Sequence, residues 1–96
     1  MVVSKVRLAL AQTNPTVGAI GANLAVILEN IRQAKAQGAD LIVFGEMALT
    51  GYPIEDLASR EQFLLDSELA VKDLATRLIA EGLHDVTVVL GHPALA

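Results

Sequence analysis

The 96-residue chain contains no cysteine, which removes disulfide scaffolds, thiolate metal sites and thiol nucleophiles from anything these residues do alone. It is also short of basic side chains. Seven Lys and Arg stand against eleven Asp and Glu, for a net charge of −4 and a pI near 4.9. A nucleic-acid backbone or an anionic lipid surface needs a basic face, so neither is an expected partner, and small neutral or cationic molecules fit better. His84 and His92 are the only histidines; they are far apart, with no second histidine or carboxylate at ligand spacing, and no metal site is expected. No uncharged apolar run reaches the roughly 18 residues that a membrane-spanning helix needs. Lys5 and Arg7 lie inside the first apolar stretch and not ahead of it, unlike a secretory signal. The expectation is a soluble, cytoplasmic protein. There is no internal repeat, low-complexity tract or linker, and the length allows one small domain or the first part of a larger one.

What is present is apolar and periodic. Hydrophobic residues make up 53% of the chain and charged residues 19%, a balance that favours a packed core over disorder. Val6, Leu8 and Leu10 alternate with Arg7, Ala9 and Ala11, the period of a strand, and the small off-phase residues suit burial on both faces. Asn14, Pro15 and Gly18 break the pattern into a loop, which Thr13 and Asn14 are expected to organise through side-chain to backbone bonds. From about Gly21 the apolar positions Leu24, Ile27, Leu28, Ile31 and Ala34 recur at helical spacing, with Asn23, Asn30, Arg32, Gln33 and Gln37 elsewhere on the wheel and Gly38 as the stop. Residues 41–44, Leu-Ile-Val-Phe, form a short β-branched run expected to be a strand buried on both sides. After a loop over residues 45–57, a second helix is expected to open at Ser59 in a capping box with Gln62. Its core stripe includes Leu64, Val71, Leu74 and Leu78, and Glu68 with Lys72 and Asp73 with Arg77 are i,i+4 ion pairs on its outer face. Gly82 ends it, and residues 86–90 give a third buried strand, stopped by Gly91 and Pro93.

The order β-α-β-α-β implies a parallel sheet with right-handed crossovers. Three such strands and two helices leave an edge and a face of the sheet uncovered, so the segment reads as an incomplete domain.

In parallel α/β sheets ligands bind beyond the carboxyl ends of the strands. That edge carries Gln12-Thr13-Asn14, Gly45-Glu46 and Gly91-His92. Glu46 is the charged group, and a carboxylate one residue past an apolar strand is expected to be partly dehydrated, which raises its pKa and suits a proton acceptor. A helix cap or a loop salt-bridge partner fits the same spacing. Glu55 and Asp56, ahead of the second helix, are explained by the helix dipole. Met47 and the two phenylalanines read as packing.

The stretch 41–52, Leu-Ile-Val-Phe-Gly-Glu-Met-Ala-Leu-Thr-Gly-Tyr, resembles the signature around the glutamate of the nitrilase superfamily of carbon-nitrogen hydrolases. Ala11-Gln12, Asn14 to Gly18 and Val88 to Pro93 resemble that family's first strand, first loop and third strand, in order. Within the family, Gly51-Tyr52-Pro53-Ile54-Glu55-Asp56-Leu57 is most similar to the glutaminase domains of glutamine-dependent NAD synthetases. The resemblance implies the opening β-α-β-α-β of an α-β-β-α sandwich, with residues 1–96 forming the N-terminal segment of a single glutaminase domain and no second domain. It also implies a Glu-Lys-Cys amidase acting on glutamine, with Glu46 as base and Tyr52 lining the substrate pocket. The lysine and cysteine would lie outside these residues, leaving the segment inactive alone. ATP and magnesium would belong to a synthetase domain that passes the ammonia to nicotinic acid adenine dinucleotide, and the full-length protein would be a homo-oligomer. Gly45 departs from the family's usual proline and holds the backbone less tightly. Three other readings stand beside this one: a different nitrilase-family amidase, a dinucleotide-binding Rossmann half-domain, and a non-catalytic α/β interaction module. The Rossmann order is matched only by Gly18 and Gly21, with Pro15 removing a donor from the loop that would cradle pyrophosphate.

Overall fold

The computed structural model describes residues 6–51 and 61–92. Five elements follow in the expected order: β1 (Leu8–Ala11), α1 (Ile20–Ala36), β2 (Leu41–Phe44), α2 (Glu61–Ala80) and β3 (Thr87–Val89). The strands are parallel and lie in chain order, with Leu8 opposite Leu41 and Leu41 opposite Thr87. Stepping across the sheet in one direction with crossovers of one hand puts both helices on the same face. α1 and α2 accordingly pack together over Ala9, Ala11, Ile42, Phe44, Val88 and Leu90.

The core is centred on α1. Ile27 and Ile31 are fully buried beside Leu24, Leu28 and Ala34, meeting Ile42 and Phe44 from β2 and Leu74 from α2. Both helices stop in the same six-residue motif. At Gly38 (φ 79°) the amides of Gly38 and Ala39 return to the carbonyls of Lys35 and Ala34, and at Gly82 (φ 70°) those of Gly82 and Leu83 return to Ile79 and Leu78. Arg32 bridges to Glu81 at 2.7 Å and Lys35 to Asp85 at 2.9 Å, with the Lys35 ammonium also donating to the Gly82 carbonyl, so α1 is tied to the turn that leads into β3.

Several expectations change. β1 is not buried on both faces: Ala9 and Ala11 face the helices, while Leu8 and Leu10 are 54% and 71% exposed. β2 has Ile42 and Phe44 buried but Leu41 and Val43 only half-buried, and β3, expected to be buried, has Thr87 and Val89 exposed with Val88 half-buried, because among the described residues nothing covers the second face. On α2 the buried stripe runs through Phe63, Ser67 and Leu74, with Ala70, Val71 and Leu78 beside it, so Leu64 stands at its margin. Ser59 of the expected capping box lies outside the described residues; the Gln62 amide donates to Asp66 at 2.8 Å. Asp73 and Arg77 pair at 3.0 Å as the spacing predicts. Asn23, assigned by periodicity to the polar side of α1, is buried at 4% exposure.

Candidate active site

At the carboxyl ends of β1 and β2 the chain leaves a solvent-open hollow of about 310 Å³, lined by Ala11, Gln12, Thr13, Pro15, Gly45, Glu46, Met47 and Ala48. That volume is at the lower end of the roughly 300 to 1,000 Å³ of small-molecule sites. Two of the three expected rim segments therefore meet in one cleft. The third touches it from behind: a Cβ on Gly91 would stand 3.0 Å from the Glu46 carbonyl oxygen. His92 lines a separate apolar hollow of about 200 Å³ with Leu74, Leu78, Val88 and Leu90.

Glu46 follows directly from the geometry of β2. Phe44 is the last strand residue and is buried, Gly45 leaves the sheet, and residues 46–50 turn back, with the Ala48 amide donating to the Gly45 carbonyl at 3.2 Å and the Gly51 amide to the Met47 carbonyl at 2.7 Å. Glu46 lines the hollow, and no cation among the described residues forms an ion pair with its carboxylate. The expected dehydration is not seen: Glu46 is exposed. The apolar strand ahead of it buries Phe44, but the hollow opens to solvent on the side where no described residue packs.

The loop after β1 is organised by Asn23, not by Thr13 and Asn14. The Thr16 amide donates to Asn23 Oδ1 at 3.0 Å, and Asn23 Nδ2 donates to the carbonyls of Thr16 at 2.8 Å and Leu49 at 2.9 Å. The Gly18 amide donates to the Thr50 carbonyl at 2.8 Å and the Ala19 amide to the Thr16 carbonyl at 3.1 Å. With Thr16, Gly18 and Ala19 amides all engaged inside the chain, and Pro15 lacking one, this loop has no row of donors to offer a pyrophosphate, which counts against the Rossmann reading. Helical periodicity alone missed Asn23. Its spacing of one before Leu24 and four before Ile27 was the available signal, since residues four apart share a helix face. Tyr52, Glu55 and Asp56 lie outside the described residues.

Residues 7–92 match the carbon-nitrogen hydrolase family. The chain belongs to that family. The similar proteins are consistent in kind: the glutamine-dependent NAD(+) synthetase of Xylella fastidiosa is 40% identical over 91 residues, which is 94% of this chain and 16% of that protein. The Thermotoga maritima enzyme of the same name is 40% identical over 87 residues, 91% of this chain and 15% of that protein. Among solved structures, a glutamine-dependent NAD(+) synthetase from Cytophaga hutchinsonii superposes with a TM-score of 0.76 at 30% identity, covering 97% of this chain and 15% of that one. The carbon-nitrogen hydrolase chain described here thus spans about 15% of the length of these relatives. Its three parallel strands and two helices are the part of the nitrilase fold that the superposition matches. No helix among the described residues is long and apolar enough to cross a membrane.

Proposed function

We propose that residues 1–96 form the N-terminal segment of one glutaminase domain and supply the carboxylate of a Glu-Lys-Cys site that hydrolyses glutamine. The observation that carries this reading is Glu46, free of any cationic partner among the described residues, on the wall of the hollow at the end of β2, in a carbon-nitrogen hydrolase. Glu46 accepts the proton of a cysteine thiol, and the thiolate adds to the side-chain amide carbon of glutamine. A lysine ammonium steadies the tetrahedral oxyanion. The C–N bond then breaks, the nitrogen leaves as ammonia with the proton returned by Glu46, and water hydrolyses the thioester to glutamate. Tyr52 is assigned to the glutamine pocket on the strength of the Gly51-Tyr52-Pro53 motif.

The chain has no cysteine, so it is inactive by itself. The ammonia serves amidation of nicotinic acid adenine dinucleotide to NAD in a synthetase domain that handles ATP and magnesium, in a cytoplasmic homo-oligomer. The described residues bring together no three acidic or histidine side chains able to hold a cation, and no step assigned to this chain runs through either group.

The test is a graft, in which this segment replaces the matching 91 residues of the Xylella fastidiosa enzyme. The graft should release ammonia from glutamine where the isolated segment releases none. Glu46→Gln in the graft should lower kcat at least ~100-fold, the scale of a lost general base, with an unchanged circular dichroism spectrum. Ammonia release at the parental rate by Glu46→Gln removes the carboxylate from the mechanism.

A further inference from the structure

Taking the glutaminase reading as its premise, we infer that Asn23 is the positioning residue for Glu46: its buried amide clasps the loop after β1 to the turn that carries the carboxylate. The side chain is 4% exposed, and all three of its polar contacts bridge these two segments, two to Thr16 and one, at 2.9 Å, to the Leu49 carbonyl. An apolar residue at this core-facing position would pack without desolvating an amide. The polar choice fits a role in fixing geometry, because a buried amide tolerates few arrangements that satisfy it.

Two further features close the same joint. The Gly18 amide reaches the Thr50 carbonyl at 2.8 Å. Gly51 adopts φ 78° and lies so close to the first loop that a Cβ there would stand 2.6 Å from the Val17 Cα and 2.9 Å from the Thr16 carbonyl carbon. Residues 49–51 are therefore held at one end of the turn and Phe44 is held in the sheet at the other, leaving Glu46 between two fixed points five residues apart. Asn23 itself rides on α1, whose Ile27 and Ile31 are fully buried. The aim of the carboxylate is thereby referred to the rigid core and not to the open hollow.

The grafted enzyme tests this with three variants that disturb the clasp differently. Asn23→Asp keeps the shape but loses donors, Asn23→Ser shortens the reach, and Gly51→Ala removes no hydrogen bond but forces the loops apart. Each should lower kcat per folded molecule by about tenfold to a hundredfold, as expected of ångström-scale misplacement. In the two Asn23 variants the KM for glutamine should stay within about threefold, since that side chain bonds only to backbone groups of Thr16 and Leu49. Each should also shift the acid limb of the kcat–pH profile. Leu83→Ala is the control: it weakens the core at the turn ahead of β3, outside α1 and away from the clasp, and should lower the melting temperature with kcat and pH profile unchanged. Folded Asn23 variants with parental kcat and pH profile make Asn23 structural only and overturn the inference. If neither folds, Gly51→Ala decides, with parental kcat and pH profile overturning it. If Glu46→Gln keeps its activity, the glutaminase reading itself falls; if Glu46→Gln is dead while the clasp variants are parental, only this inference does.

Discussion

At the scale of single residues, the two glycines that flank the Glu46 turn are under opposite constraints. Gly51 is pressed against backbone and holds a positive φ, whereas a Cβ on Gly45 would meet nothing within 4 Å. Gly45→Ala should therefore raise the stability of the grafted enzyme by ~0.4 to 1 kcal/mol through the entropy of the unfolded chain, with ammonia release retained. Differential scanning calorimetry of parent and variant checks this, and a lowered transition would mean that the backbone at residue 45 is strained. The place of Glu46 beside the hollow was legible because an acid stands one residue past an apolar strand. Its exposure was not, since hydration depends on whatever packs over the hollow and periodicity carries no information about that. Asn23 was misplaced for a related reason: its polarity was read as a surface signal, but its partners are backbone groups distant in sequence.

At the scale of elements, strand and helix periods located all five segments, and Gly38 and Gly82 fixed both helix ends. Val71, Leu74 and Leu78 of the α2 stripe stand where the spacing put them, but Ser67, fully buried with no hydrogen-bond partner for its hydroxyl among the described residues, does not announce itself as a core residue. The contacts between α1 and the start of β3 were invisible to a reading that pairs charges only within a helix. Here the Arg32 side-chain hydrogen bond holds the Glu81 carboxyl below its ordinary range, and the Lys35 hydrogen bond does the same for Asp85. A depressed carboxyl pKa stabilises the fold above the unfolded value and loses that contribution as the pH falls through the folded value. The melting temperature should thus decline as the pH drops below ~4.5, and Arg32→Gln should flatten the part of that decline due to Glu81. Because these groups are solvent-exposed the effect is small and should shrink further in molar salt. Melting curves of parent and Arg32→Gln with the same pH slope would assign the acid response elsewhere.

At the scale of the molecule, the uncovered side of the sheet dominates. Leu8, Leu10 and Val89 are 54%, 71% and 48% exposed, and Leu10, Val43 and Val89 lie in one register row across the three strands. A contiguous apolar face of this kind, with free strand edges beside it, drives association. The isolated chain should elute as mixed oligomers in size-exclusion chromatography, and Leu10→Lys should shift it towards the monomer. A monodisperse parent chain that unfolds cooperatively would contradict this. That a sheet face would be left uncovered was legible from three strands and two helices. The side left bare was not, because residues 8–11 and 41–44 are apolar or small on both strand faces and the alternation alone does not say which face the helices take.

The carboxylate's role is tested most directly in the first turnover of the grafted enzyme. Rapid-quench measurement of ammonia released before the thioester hydrolyses isolates the step in which, on the proposed mechanism, Glu46 takes the thiol proton and returns it to nitrogen. The rate for Glu46→Gln should fall at least ~100-fold at saturating glutamine. An undiminished first-turnover burst in that variant would show that the proton travels by another group.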